Sequence, residues 1–515
     1  MRYVALICCA APLVVVGEVG AAAVGAAEVG LGDVSLTNTF IAEGRVDNKN
    51  QSSDDDNYGG VINRLNINGT SGDLRADLRL DGVGFVEVPT PAYVSELRLE
   101  RITVGYRIKD LEITGGDFYR QLGRGLALSI RKQDEIGLDV ALRGGELRYE
   151  SDWHQATAFA GYVNPTNLDA VSQKHLRNPG DAIVGASYEL RGFDRLTAGV
   201  FGVYLQPKER LLDERDSTAA AGGWVEIPSI ADVGAVYVEG DAQRKTLVGL
   251  GSWGYAAYGT ADLQLGGTVI LLEGIFLRDY EMRGSTNTAL QTRFVYNRAP
   301  TLQRIEEETI ASPNVLGGRL KIEHYFAALD LVVSANGLFN LAEFGEPAEV
   351  RQLHGWGAGE WTLSDGGRLA LGGGFRDESQ AGELVRRMVH GEVDYVQPVA
   401  ARVALHLASN TESREVPEVT GVAGDTRRYV RGSTFLGVER AGLGSLTFEI
   451  GYDTQDPSAG VRDVFAAGII AWELAGALSL AITAGTQRGG IKCLSGVCRE
   501  YPAFAGGRLE VIGRL

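Results

Sequence analysis

Arg75, Asp77, Arg79, Arg98, Arg107, Asp139, Arg143, Arg376, Arg386, Glu392, Asp394, Arg402, Glu449, Arg508 and Glu510 each alternate with apolar neighbours along the chain. Residues two apart share one face of an extended strand, so this spacing describes a charged face of mixed sign rather than a catalytic centre. Turned toward lipid, each charge would cost about 2–4 kcal/mol near a bilayer midplane. Turned toward water, the same groups pair across strands and impose a field on solutes that pass them. Catalytic constellations are missing from the sequence. There is no G-x-S-x-G and no H-E-x-x-H, and the histidines (His154, His175, His324, His354, His390, His406) are scattered with no close pair. His154, His354 and His406 could each be imagined beside a lipid-facing serine of a barrel phospholipase, but no serine is tied to them. Gly249–Gly254 reads GLGSWG and matches a dinucleotide fingerprint, yet strand-like segments surround it and no helix follows, so it reads as a chance match. Asp54, Asp55 and Asp56, and likewise Glu306, Glu307 and Glu308, carry oxygen ligands suited to calcium, but their composition is that of solvated loops. No metal and no cofactor are expected.

The elements that must carry the charged face are strands. In Asp73–Asp81 (DLRADLRLD), Leu74, Ala76, Leu78 and Leu80 face one way while the aspartates and arginines face the other. Ser445–Asp453 repeats the pattern with Leu446, Phe448, Ile450 and Tyr452, and the C-terminus repeats it with Leu509, Val511 and Leu515. Between Leu97 and Ile108 the apolar phase flips near Glu100–Arg101, which predicts a β-bulge that restores one apolar face. Strands are expected near 34–46, 60–68, 73–82, 96–108 and 111–116. Long links are expected at 47–60, 163–180, 206–219, 298–316, 409–427 and 488–502. Short ones are expected at 109–110, 191–194, 229–232, 327–330 and 475–476. Long loops at one end and tight turns at the other mark a transmembrane barrel. The rhythm blurs at 117–150 and 257–290. The expected fold class is therefore all-β, a large single-chain transmembrane antiparallel β-barrel of about 26 strands (range about 22–28), each about 9–11 residues long. Val464–Gly485 could pass as a membrane helix, but alternation on both sides of Ala475–Gly476 predicts a hairpin.

Composition agrees. The 515 residues carry 69 glycines, net charge −17 and 44% apolar residues. The apolar content is too high for a disordered chain, and the acidic balance argues against a nucleic-acid partner. Met1–Arg2, the apolar run Tyr3–Val16 and the small-residue zone GAAAVGAAE form a secretory signal, so residues 1–27 are read as a signal peptide and 28–515 as the barrel. Cys8 and Cys9 fall in the signal. Cys493 and Cys498, in GGIKCLSGVCREYP, are expected to close a small disulfide in an oxidising compartment.

Gly116–Gly144 (GDFYRQLGRGLALSIRKQDEIGLDVALRG) resembles the signature of a family of Gram-negative outer-membrane β-barrels without assigned activity, in which GDFY…GxGL precedes GxDxxLRG. The C-terminal GGIKCLSGVCREYPAFAGGRLEV is similar to that family's ending, paired cysteines included. The resemblance implies an outer-membrane barrel, with outer-membrane lipid and the barrel assembly machinery as partners, and offers no catalytic residues. The chain departs from the usual aromatic end in closing on Leu515. Physically, Gly115, Gly116, Gly123 and Gly125 invite a sharp bend, and Asp117, Arg120, Arg124 and Arg131 concentrate charge beside it. This segment is expected to lean into the lumen and narrow it. The candidate lumen and constriction residues are Arg75, Asp77, Arg79, Arg98, Asp117, Arg120, Arg124, Arg131, Asp139 and Arg143. The expected function is a porin-like conduit for polar solutes or an exported polymer. A structural or adhesive surface protein with a closed lumen, or a barrel enzyme, are the alternatives.

Overall fold

The computed structural model describes residues 33–47, 56–87, 93–133, 138–165, 178–193, 195–211, 214–247, 249–287, 292–303, 312–418, 425–455, 464–474, 476–494, 497–501 and 504–515. The expected signal segment, His175, Asp54, Asp55 and Glu306–Glu308 lie outside the described residues.

Among the described residues the main sheet has 25 strands, one of which, Lys132–Gln133, is a two-residue strip paired only with Leu138–Glu150. The other 24 form the wall, within the expected range. Each is antiparallel to both neighbours, and the first strand, Val34–Asp47, pairs with Tyr58–Ser71 on one side and with the last, Phe504–Arg514, on the other. That pairing closes the sheet and leaves no free edge, which a chain in hydrocarbon requires.

Alternation decides which side chains meet lipid. Leu97, Leu99, Ile102, Val104 and Tyr106 are exposed on the outer face of Glu96–Ile108, whereas Glu100 and Arg101 between them are buried. The expected bulge is present: Arg101 lies opposite Arg79 and Leu99 opposite Leu80, leaving Glu100 as the extra residue. Phe448 and Ile450 likewise face outward while Glu449 is buried.

The two ends of the barrel differ. At one end the links are short, as at 72–73, 109–110, 266–267 and 401–402, and the C-terminal Leu515 returns there to accept a hydrogen bond from Leu36. At the other they are mostly long, as at 119–137, 166–181, 279–314 and 488–503. Two expected links are corrected. The 409–427 link shrinks to 418–425, because Val403–Pro417 and Thr426–Arg440 continue pairing beyond the length that crosses a bilayer. The 298–316 link opens earlier, directly after Thr268–Arg278. Val464–Leu474 and Leu478–Gln487 form the expected hairpin, with Gly476 at φ +68° in its turn. The GLGSWG motif enters the strand Leu250–Leu265. Cys493 stands opposite Cys498 in the backbone register of the hairpin Gly490–Leu494/Val497–Tyr501, and their side chains lie outside the described residues.

Phe448 sits midway along Gly444–Asp453 on the outer face. Replacing it with Arg is expected to lower the unfolding free energy by about 2–4 kcal/mol, read by urea titration of the barrel in lipid vesicles.

Candidate functional site

Two segments leave the wall at the long-loop end and fold inward. The first follows Leu111–Phe118 and forms the short hairpin Arg120–Leu122/Leu128–Ile130. The second follows Thr268–Arg278 and forms the hairpin Arg283–Asn287/Thr292–Val295 before running on to Gln303. They touch each other. Ser129 N–H donates to the Tyr296 carbonyl at 2.7 Å, and Arg298 N–H donates to the Gly125 carbonyl at 2.8 Å.

Both pack on the inner wall. Leu126, Ala127, Leu128 and Met282 have no exposed surface and lie in clusters with Phe159, Ile183, Phe201, Val203, Leu205, Tyr258 and Ile275. Their strand neighbours of opposite phase, Val184, Val200, Tyr204 and Val238, are exposed outside. The clustered residues therefore face the lumen. In this sector both faces of the wall are apolar, one covered by lipid and the other by the infolded chain. Space for it comes partly from inward glycines: the ring of Phe159 lies across Gly185 and that of Trp224 across Gly199, where an added Cβ would sit 2.5 and 2.6 Å from ring atoms.

Two buried carboxylates hold the infold. Glu239, on the strand Gly234–Leu247, accepts from Arg124 N–H at 2.6 Å and from the Tyr237 hydroxyl. The Arg124 guanidinium lies 4.6 Å from the Tyr237 ring centroid. The grip needs glycine. Gly123 has φ +51°, and a Cβ there would stand 2.4 Å from both Glu239 oxygens. Asp181, at the foot of Ala182–Phe193, has no exposed surface. It accepts from Lys208 N–H at 2.9 Å, Ser285 N–H at 2.8 Å, the Tyr296 hydroxyl at 2.7 Å and the Ser285 hydroxyl. Burial, then the adjoining Asp181 carboxylate, holds the Tyr296 phenol well above its ordinary pKa, so it stays a donor. Tyr280 donates to Asp241 at 3.3 Å and is raised by burial and that carboxylate in the same way.

The sequence-derived candidates divide into groups. Asp117, Asp139, Arg143 and Arg79 converge at the root of the first infold. Arg79 bridges Asp81 and Asp139, and Arg143 forks onto Asp117 with contacts of 2.8 and 3.0 Å. Arg101 and Asn164, which the sequence reading passed over, complete this network through Asp139 and Asp117. Arg120 pairs with Glu146 beneath the Phe159 ring, and Arg124 reaches Glu226 at 3.9 Å. Arg75–Asp77 and Arg98–Glu96 are separate, more exposed pairs, and Arg131 is exposed.

The opposite sector of the inner wall is ionic. Glu378 joins Arg376 and Arg386, Glu412 joins Arg414 and Arg431 at 2.8 Å each, and Gln487 donates to Glu449. The histidines have no close pair along the chain, but the fold brings two together here: His354 and His390, 36 residues apart, meet Nε2 to Nε2 at 3.1 Å.

Residues 25–176 match the model of a family of unknown function (DUF6029). That span includes the Gly116–Gly144 block and stops short of the C-terminal one. No curated protein matches the chain. Among solved structures, the siderophore receptor PirA from Pseudomonas aeruginosa is similar at TM-score 0.49 and 9% identity, over 94% of this chain and 80% of that one. The P pilus usher (PapC) translocation pore is similar at TM-score 0.41 and 9% identity, over 94% and 99%. OccK5 (OpdH) from Pseudomonas aeruginosa is similar at TM-score 0.40 and 13% identity, over 68% and 93%.

Asp181→Ala leaves the buried donors of Ser285 and Tyr296 unpartnered, at about 1–3 kcal/mol for each stranded group. New proteolytic cleavage within residues 279–303 of an otherwise intact, folded barrel is the expected result, read by limited proteolysis and mass spectrometry.

Proposed function

We propose that the chain is an outer-membrane conduit for polar solutes whose lumen is permanently narrowed by its two infolded segments. The observation that carries this reading is the inner wall itself: one sector is largely apolar and packed by the infold, and the other carries paired charges such as Arg376–Glu378 and Arg414–Glu412.

Magnitudes favour a fixed constriction over a freely swinging gate. Each fully buried Leu, Ile or Met of the infold contributes about 1.5–3 kcal/mol. Leu126, Leu128, Ile130 and Met282 together outweigh any one of the polar anchors. Removing the infold would also bare Phe159, Phe201, Val203 and Leu205 to water. A bulky exported polymer would demand that removal, so small polar solutes passing along the ionic sector fit better. The apolar outer face and the closed wall support placement in the bacterial outer membrane, in keeping with the signal expected at residues 1–27. Outer-membrane lipid and the barrel assembly machinery are the partners this placement calls for.

The burial of Leu126, Ala127, Leu128, Ile130 and Met282 of the infold favours a second reading, a barrel sealed for a structural or adhesive role. Planar-bilayer recording separates the two. Under the conduit reading the wild-type barrel conducts, and Arg120→Ala with Arg124→Ala, which take two cations and their bulk out of the constriction, raises single-channel conductance or alters ion preference. Unchanged conductance and selectivity reject the constriction. Silence from wild type and from Asp181→Ala alike rejects the conduit.

A further inference from the structure

We propose that Arg488 is the centre of a binding site for an oxyanion, a carboxylate or phosphate group carried by a small solute, on the ionic side of the lumen. The site deepens the conduit reading by naming a solute class, and it rests on that reading only for how the solute arrives. Strand register builds it. Glu412, Arg431 and Asp453 stand in one row across Val403–Pro417, Thr426–Arg440 and Gly444–Asp453, each opposite the next. Glu412 is engaged by two guanidiniums, since Arg414 Nε and Arg431 Nε each donate to its Oε2 at 2.8 Å. Asp453 Oδ1 accepts from Gln455 N–H at 3.0 Å. Arg488 reaches this row from the long-loop end, directly after Leu478–Gln487. Its stem lies over the bare backbone of Gly451, where an added Cβ would stand 3.4 Å from Arg488 Cβ and 3.6 Å from Ser433 Oγ.

The wall leaves this cation unsatisfied. The Arg488 side chain is 14% exposed, and Asp453 Oδ2 lies 3.8 Å from its Nη1, beyond hydrogen-bond reach. Arg488 makes no hydrogen bond among the described residues, and its Nε is buried without an acceptor. Burial, and next the Arg431 cation, hold the guanidinium below its ordinary pKa, and the attraction of Asp453 ranks after that repulsion. A guanidinium does not give up its proton in a protein, so the charge stays and calls for an anion. Of the three arginines gathered here, Arg414 and Arg431 bond to Glu412, whereas Arg488 bonds to no carboxylate. Glu449, two residues from Gly451 on the short-turn side, accepts from Gln487. The Ser433 hydroxyl, in a residue 1% exposed, is a second buried group without a partner close to the same stem.

The chemistry of these groups selects the occupant. Arg488 offers donors only, which excludes a cation. Its planar fork matches two oxygens of one carboxylate or phosphate, so a solute carrying such a group is held in a set orientation as it passes the ionic sector.

The test uses the full mature barrel folded in detergent, at about 0.15 M salt so that exposed charges are screened. Inorganic phosphate and succinate are titrated separately by calorimetry, with phosphorus NMR line broadening as a second readout for phosphate. Saturable binding of one equivalent of at least one probe is expected. Arg488→Gln should weaken it about 10–100-fold, the value of a hydrogen-bonded charge. Arg488→Lys, which keeps the charge and loses the fork, should fall between that variant and wild type. Arg440→Gln, exposed at the short-turn end of Thr426–Arg440, should bind as wild type does. Heat-shifted gel mobility checks that each variant is folded. In planar bilayers the bound probe should reduce the chloride current of wild type and spare that of Arg488→Gln. Absence of saturable binding by wild type, with lumen water alone hydrating Arg488, overturns the proposal, and so does wild-type affinity in Arg488→Gln. A barrel that conducts but binds neither probe loses the site and keeps the conduit. One that binds but never conducts loses the conduit and keeps the site.

Discussion

Every backbone N–H and C=O of a chain in hydrocarbon must find its partner within the protein, and the rest of this molecule follows from that demand. Pairing of Val34–Asp47 with Phe504–Arg514 meets it by joining the two ends of the sheet. Closure in turn divides every strand into a lipid face and a lumen face. A charge placed on the wrong one is costly, so the pattern cannot slip by a residue. The bulge at Glu100 is the local cost of keeping that phase: one extra residue in Glu96–Ile108 returns Ile102, Val104 and Tyr106 to the face that Leu97 and Leu99 already occupy.

A wall of 24 strands encloses more space than its own side chains fill. Part of that space is taken up by chain. The infold is held chiefly by apolar burial, and its polar anchors specify position rather than supply most of the energy. Glu239 and Asp181 each gather several donors from segments far apart in sequence, including Arg124 N–H and Ser285 N–H. Carboxylates so placed leave no equivalent second position for the hairpins. The outcome is a lumen with two unlike sides, and any solute that passes must travel beside the ionic one.

Much of this was legible in the residues. Alternation in Asp73–Asp81 and Ser445–Asp453, the phase flip at Glu100 and the hairpin at Gly476 could be read because each depends on neighbours within a dozen positions. The infold left fainter signs. Leu196–Gln206 (LTAGVFGVYLQ) is apolar on both faces, with Val200 and Tyr204 outward and Phe201, Val203 and Leu205 inward, the mark of a strand covered on both sides. The blurred rhythm at 117–150 and 257–290 overlaps the points where the chain leaves the wall. Reading every apolar residue as lipid-facing hid both signs. The reach of Val403–Pro417 and Thr426–Arg440 beyond the bilayer was hidden for a related reason: polar residues that continue a ladder look the same in sequence as polar residues in a loop.

The sequence by itself determined the period of two, the sign of each face and hence an edge-free barrel, because these are set by local spacing and by the cost of charge in lipid. Tertiary structure alone decided which distant residues share the interior. Asp181 finds Ser285 and Tyr296, Glu239 finds Arg124, and His354 finds His390 because strand register and closure bring them together. Spacing along one chain carries no information about contacts made across the inside of a closed sheet.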